Sequence, residues 1–184
     1  MDGGRAMDRT DDETGRREDA PARWFRAKAI GTVRRLAAAG EPGGFLDPAV
    51  ESVIELRPEW AAGLAGIEGY SHLVVLFWLD RAERPRRLGP GDARPPEGNP
   101  AFPAVGLFAT RSPRRPNPIG VACPRLVRRE GPRLVVRGLD AWDGTPVLDL
   151  KGYSPRDELR PEATVPEWLE RLWASHDAER AAGG

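Results

Sequence analysis

Two stretches decide the reading of this chain: FATRSPRRPNPIG at residues 108–120 and LDAWDGTPVLDLKGY at residues 139–153. The first interleaves Pro113, Pro116 and Pro118 with Arg111, Arg114 and Arg115. Proline fixes φ and steers the residue before it away from helix, so this is a stiff, extended loop that carries guanidinium groups at set positions. Such a loop loses little conformational entropy when it meets an anion or a nucleotide. The same composition also suits a solvated surface connection. In the second stretch, Asp143-Gly144-Thr145-Pro146 has the chemistry of a turn, set between the strand-like runs RLVVRGLD and TPVLDLKGY.

Alternate residues of a strand share a face, which puts Asp149, Lys151 and Tyr153 on one side and Leu148 and Leu150 on the other. A carboxylate, an amine and a phenol held together can tune one another's proton affinity and serve proton transfer. The wet face of a half-buried strand has the same spacing, so both readings stand. Lys28 and Lys151 are the only lysines among 28 basic residues. A lysine kept under that bias toward arginine points to a compact, titratable ammonium at residue 151.

Outward from these motifs, strand-like segments fall at residues 25–34, 52–56, 70–79, 104–110, 119–129, 134–139 and 146–152. They are short and punctuated by 21 Gly and 19 Pro, as many tight turns require. No GxGxxG follows a strand, which disfavours a dinucleotide-type α/β sheet. The expectation is a mostly β, single-domain β-barrel, closed or nearly closed, over residues 24–160. Residues 1–23 are polar and charged and read as a disordered tail, and residues 161–184 as a C-terminal helix and tail. Thr164-Val165-Pro166-Glu167 fits a capping box, ahead of Trp168, Leu169, Leu172 and Trp173 at helical spacing. His176 is expected to interact with the C-terminus of that helix. Residues 58–65 read as a helical turn with Trp60 and Leu64 facing inward.

LVVLFWL, the longest apolar run, is too short to cross a bilayer, and the start has no apolar signal core. The lone Cys123 rules out an internal disulfide and suits a reducing, cytoplasmic setting. One cysteine and two distant histidines give no metal-site spacing. Of those histidines, His72 is a candidate base, with turn-anchoring as its structural alternative. The formal charge is zero, but residues 81–137 hold 13 Arg against four acids, a local excess of +9 balanced by −9 elsewhere. That distribution allows a basic stripe for phosphates, and equally a set of ordinary wet strand faces.

In four ordered blocks the chain resembles the TsaA-like (TrmO) family of S-adenosylmethionine-dependent methyltransferases. The blocks are AIGTVR, GLAGIEGYSHLVVLFWL, FATRSPRRPNPIG and GLDAWDGTPVLDLKGY, within residues 29–153. The resemblance implies a β-barrel, a homodimer, and S-adenosylmethionine bound without a Rossmann domain. It also implies methylation of the exocyclic nitrogen of a threonylcarbamoyl-modified adenosine beside a tRNA anticodon. By resemblance, Leu79, Asp80, Arg111, Val121, Asp143, Gly144, Thr145 and Pro146 form the donor site, and backbone groups of the turn read the cofactor. Asp149, Lys151 and Tyr153 then handle protons or orient the substrate.

The chain departs from the family pattern where Asp80 replaces a usual His, where KGY replaces KPY, and where AAAGEPGGF at residues 37–45 replaces a PRQ-type loop. It also lacks the extra C-terminal region of the longer tRNA enzymes. These departures leave open a small-molecule acceptor, or a non-catalytic barrel that only binds ligand.

Overall fold

The computed structural model describes residues 26–36 and 50–182. The tail at residues 1–23 and the altered loop at residues 37–45 lie outside the described residues. Seven strands are present: β1 (Gly31–Arg35), β2 (Glu51–Leu56), β3 (Leu73–Trp78), β4 (Ile119–Ala122), β5 (Arg125–Glu130), β6 (Arg133–Arg137) and β7 (Pro146–Gly152). They form one sheet in the order β4-β3-β7-β1-β2-β6-β5, with every neighbouring pair antiparallel.

Alternation along β3 shows why the sheet has an inside. Leu73, Val75 and Phe77 are buried, while Val74, Leu76 and Trp78 between them are only half-buried. The buried face joins Val33, Ile54, Leu134, Val136 and Val147 in one core. Each such side chain stabilises the fold by about 1.5–3 kcal/mol when fully removed from water.

β4 and β5 stand at opposite ends of the strand order, yet only Cys123 and Pro124 separate them in sequence. The run bends at the buried Pro124, whose carbonyl accepts from the Leu73 amide at 3.1 Å. Beyond the bend the Leu126 amide donates to the Ser71 carbonyl at 2.9 Å, and Arg125 bridges His72. The sheet therefore curls until its two ends share one chain segment. Its final seam is a single bridge, not a ladder, so the expected barrel is present in its nearly closed form.

The remaining expectations fare unevenly. Residues 104–110 form no strand: Val105 makes one bridge to Arg94, and Leu107–Ala109 is a 3₁₀ turn. Pro95, Pro96, Pro100 and Pro103 lie before this segment, and in the stretch that meets it at Arg94 they remove amides that a longer ladder would need. Pro58–Leu64 is a 3₁₀ helix that buries Leu64 but leaves Trp60 43% exposed. At about three residues per turn, positions four apart no longer share a face.

Two helices follow the sheet, α1 (Pro155–Glu158) and α2 (Glu167–Ala182). The start of α2 lies two residues past the point a Thr164 cap would set, and the Pro166 carbonyl accepts from the Leu169 and Glu170 amides. Leu172 is buried, but Trp173 is 50% exposed, so the apolar stripe is only partly covered. His176 Nε2 lies 3.0 Å from Glu97 Oε1, so the helix docks on the loop before the proline motif, with Arg171 over the Phe102 ring.

Gly31, Gly120 and Gly152 are set by close approach, Gly31 against the Glu55 carbonyl oxygen across the β1–β2 pair. Gly152, at the end of β7, lies under the Tyr70 ring, and Gly120 in β4 lies against the ring of Phe77. A Cβ at either would overlap its ring. Phe77 is a core side chain, so Gly120→Ala is expected to cost about 1–3 kcal/mol through overpacking. Urea unfolding would read this as a lower midpoint at unchanged m-value.

Candidate active site

A cleft of about 940 Å³ runs along β4, the strand at the open end of the order. One wall is the end of β3 with β4 itself, including Phe77, Leu79 and Val121. The second is the proline loop from Thr110 to Arg115, and the third is the segment from Gly138 to Trp142 that leads into the turn. The volume lies in the range of pockets that take cofactor-sized ligands, and the walls are mainly apolar with few polar groups.

The loop is tied to the strand by its arginines. Arg111 Nη2 donates to the Val121 carbonyl at 2.8 Å, and Arg115 Nη1 donates to the carbonyls of Thr110 and Ser112 at 3.0 and 3.2 Å. Arg115 also stacks over Phe108, which is 71% exposed. Across the cleft, Arg81 lies over the Trp142 ring at 5.1 Å and donates to the Asp143 carbonyl at 3.2 Å.

All of these acceptors are neutral, so among the described residues Arg81, Arg111 and Arg115 form no ion pair. The β5 and β6 arginines differ: Arg128 and Arg137 pair with Glu51, and Arg129 pairs with Glu68. A backbone hydrogen bond, helped by Arg129 and opposed by slight desolvation, holds Glu68 below the ordinary carboxylate pKa. The basic excess of residues 81–137 is therefore partly neutralised on β5 and β6, and on the proline loop at Arg114, which faces Glu83 and Asp92 at 3.4 and 3.9 Å, while Arg81, Arg111 and Arg115 around the cleft keep their charge.

Leu79, Arg111 and Val121 line the cleft together, and Asp80 stands exposed beside Leu79. The turn flanks the cleft and is hydrogen-bonded mainly to β1. The Gly144 amide donates to the Val33 carbonyl, the Val33 amide to the Thr145 carbonyl, and the Arg35 amide to Asp143 Oδ1. Gly144 has φ of +86°, which suits a residue without a Cβ, and Pro146 opens β7 opposite Thr32.

Asp149 and Lys151 lie elsewhere. Asp149 pairs across to Leu76, and Leu76 to Val121, so the carboxylate is two strands in from the edge, about 10 Å away. Lys151 Nζ lies 2.5 Å from Asp149 Oδ2, and both side chains are about half exposed. Tyr153 sits apart from this pair, edge-on to His72, whose Nδ1 is 3.0 Å from Ser71 Oγ.

A family model, the tRNA-methyltransferase O N-terminal domain, matches residues 41–158, more than half of the chain. The chain belongs to this family. An Archaeoglobus fulgidus protein named as a probable S-adenosyl-L-methionine-binding protein is 46% identical over 78% of this chain. A second protein of that organism, named as an S-adenosyl-L-methionine-binding protein, is 43% identical over 64% of the chain and 78% of its own length. The crystal structure of TrmO from Pseudomonas aeruginosa matches with a TM-score of 0.61 at 31% identity, covering 79% of this chain and 63% of that one. The chain spans 37% of the first Archaeoglobus relative and 62% of a Pyrococcus abyssi relative that is 38% identical over 66% of this chain.

For this TrmO-family chain the structure adds lining residues that the motifs alone did not single out, notably Asp140 and Trp142. A signal for them existed. In Leu139-Asp140-Ala141-Trp142, Leu139 and Ala141 are buried while Asp140 and Trp142 turn outward, the period of two that marks an extended segment. As a whole residue Asp140 is exposed, but its carboxylate is desolvated against the cleft wall, which raises its pKa, and Arg35 pulls it back in part.

A carboxylate whose pKa is raised on folding destabilises the fold once it ionises. The loss begins as pH passes the unfolded value and is complete above the folded one. Asp140→Asn removes that cost. The variant is expected to be more stable than the parent at neutral pH, with the difference vanishing near pH ~3, as urea unfolding at the two pH values would show.

Proposed function

We propose that this chain is an S-adenosylmethionine-dependent N-methyltransferase. Its acceptor is the exocyclic nitrogen of a threonylcarbamoyl-modified adenosine beside a tRNA anticodon. The observation that carries this reading is the convergence, in one cleft, of family-matching residues and unpaired arginines: Leu79, Arg111 and Val121 with Arg81 and Arg115 around them.

The cleft fits the donor chemically. Trp142, Phe77 and Val121 offer apolar and aromatic surface for a purine, and Arg111 offers a counter-charge for a carboxylate. When bound there, the donor supplies an electrophilic methyl on a sulfonium. Asp80 and the Asp143-Gly144-Thr145-Pro146 turn complete the donor site at its rim. The protein's part is alignment and exclusion of water from the acceptor nitrogen. Asp149 and Lys151 on the outer face of β7, with Tyr153 just beyond its end, orient the acceptor strand.

The cationic rim and the exposed Phe108 suit a nucleotide that has left its stack, since guanidinium and aromatic planes accept any base face. Ile119 and Val121, each at least 40% exposed on the outer face of β4, suit a second copy of the chain, giving a homodimer. A cytoplasmic setting follows from a tRNA acceptor and a free Cys123 thiol. Among the described residues no helix is long and apolar enough to cross a membrane.

Calorimetric titration with S-adenosylmethionine should give saturable binding, and labelled methyl should pass to tRNA that carries the modified adenosine. Arg111→Ala is expected to stay folded and to weaken donor binding at least tenfold, roughly the worth of a lost charge-assisted hydrogen bond. Binding without transfer to any acceptor would favour a ligand-binding barrel. An unfolded Arg111→Ala variant, or one that binds and turns over like the parent, would remove the cleft as the donor site.

A further inference from the structure

Transfer of a methyl group to an N–H acceptor leaves a proton to be removed, and a urea-like nitrogen is a poor nucleophile until it goes. The cleft should therefore hold a base. Among the described residues, one carboxylate lines it: Asp140, on the wall formed by Gly138 to Trp142 and facing the proline loop. The arginines of the cleft have no lone pair to accept a proton, and the neutral thiol of Cys123 is a weak acceptor. Asp149, the carboxylate that the strand pattern offers, is two strands away on the outer face and paired with Lys151.

We infer that Asp140 is the general base of the reaction, an assignment that rests on the methyltransferase reading above. The acceptor nitrogen forms its N–C bond as the S–C bond of the donor breaks, the sulfonium becomes a neutral thioether, and the N–H proton passes to the Asp140 carboxylate. Three features equip it for this. Its partial desolvation makes the carboxylate a stronger base than one in water. Its backbone is fixed on both sides by the buried Leu139 and Ala141. The Arg35 guanidinium, whose Nε is buried and without a hydrogen-bond partner, lies near enough to act on it.

Arg35 is thus a positioning residue. Its charge opposes the rise that desolvation imposes on the carboxylate's pKa. The other charged or titratable groups around Asp140 are Arg111 and Arg115 on the loop, Cys123 just after β4, and Asp143 with Arg81 beside Trp142.

The test compares Asp140→Asn with the parent, using S-adenosylmethionine as the calorimetric probe and tRNA with the modified adenosine as acceptor. Expected are a kcat at least about 100-fold lower, a donor Kd within about threefold, and loss of the rising acidic limb in the pH profile. Asp140→Glu should restore part of the rate. A kcat within about threefold of the parent would overturn the assignment. So would a donor Kd weakened by the same factor as turnover, since the carboxylate would then be holding the cation and not taking the proton.

If the parent transfers nothing to tRNA, the acceptor reading fails and Asp140 is judged without it, by carbon-detected NMR titration of its carboxyl group. A midpoint above the ordinary aspartate range of about 3.9 would support the base. An ordinary midpoint would overturn it.

Discussion

One bend at Pro124 determines most of what this fold can do. A seven-stranded sheet has two edges, and each needs hydrogen-bond partners or cover. Here one continuous run supplies both edges, because β4 lies on β3 before the bend and β5 lies on β6 after it. Proline suits the corner: it is buried and has no amide to satisfy, and its carbonyl is taken by Leu73. Curling the sheet on this hinge leaves β4 unpaired along its outer side, and that side is where the cleft forms.

The partners of the arginines explain how a chain of zero net charge can still hold a cationic site. On β5 and β6, Arg129 and Arg137 meet carboxylates of Glu68 and Glu51 from outside the basic stretch, and Arg128 meets Glu130 within it as well as Glu51. Around the cleft the guanidinium groups meet carbonyls. A carbonyl fixes the direction of a guanidinium without cancelling its charge, so Arg81, Arg111 and Arg115 are held in place with their attraction for anions intact. Exposed ion pairs of the first kind add little stability, and their main effect is to confine positive potential to one end of the molecule.

Much of this was legible in the sequence. Strand 73–78 stood out as a short apolar run, and 146–152 as an extended run after the Asp-Gly turn; only the first shows a regular period of two in its burial, because β7 carries a register shift beside Asp149. The segment 104–110 misled, since its apolar content is spent on a single bridge to Arg94 and a 3₁₀ turn, with prolines limiting the stretch it faces. Trp60 misled because periodicity cannot distinguish a 3₁₀ turn from an α-helical one. At the site, local motifs pointed to Arg111 and to the turn, whose roles are written in glycine and proline. Asp140 was harder to see. Its environment is made by Arg35 from β1 and by a loop nearly thirty residues away, and no local pattern carries that information.

The hydrogen bond from Arg111 to the Val121 carbonyl has a meaning apart from ligands. An edge strand with open carbonyls invites the edge of another molecule, and uncontrolled pairing of that kind leads to fibrils. By placing a cation on one of those carbonyls, and folding a proline-stiffened loop beside it, the chain blunts its own exposed edge. The feature that walls the cleft is also a guard against aggregation, so variation in this loop is constrained by solubility as well as by chemistry.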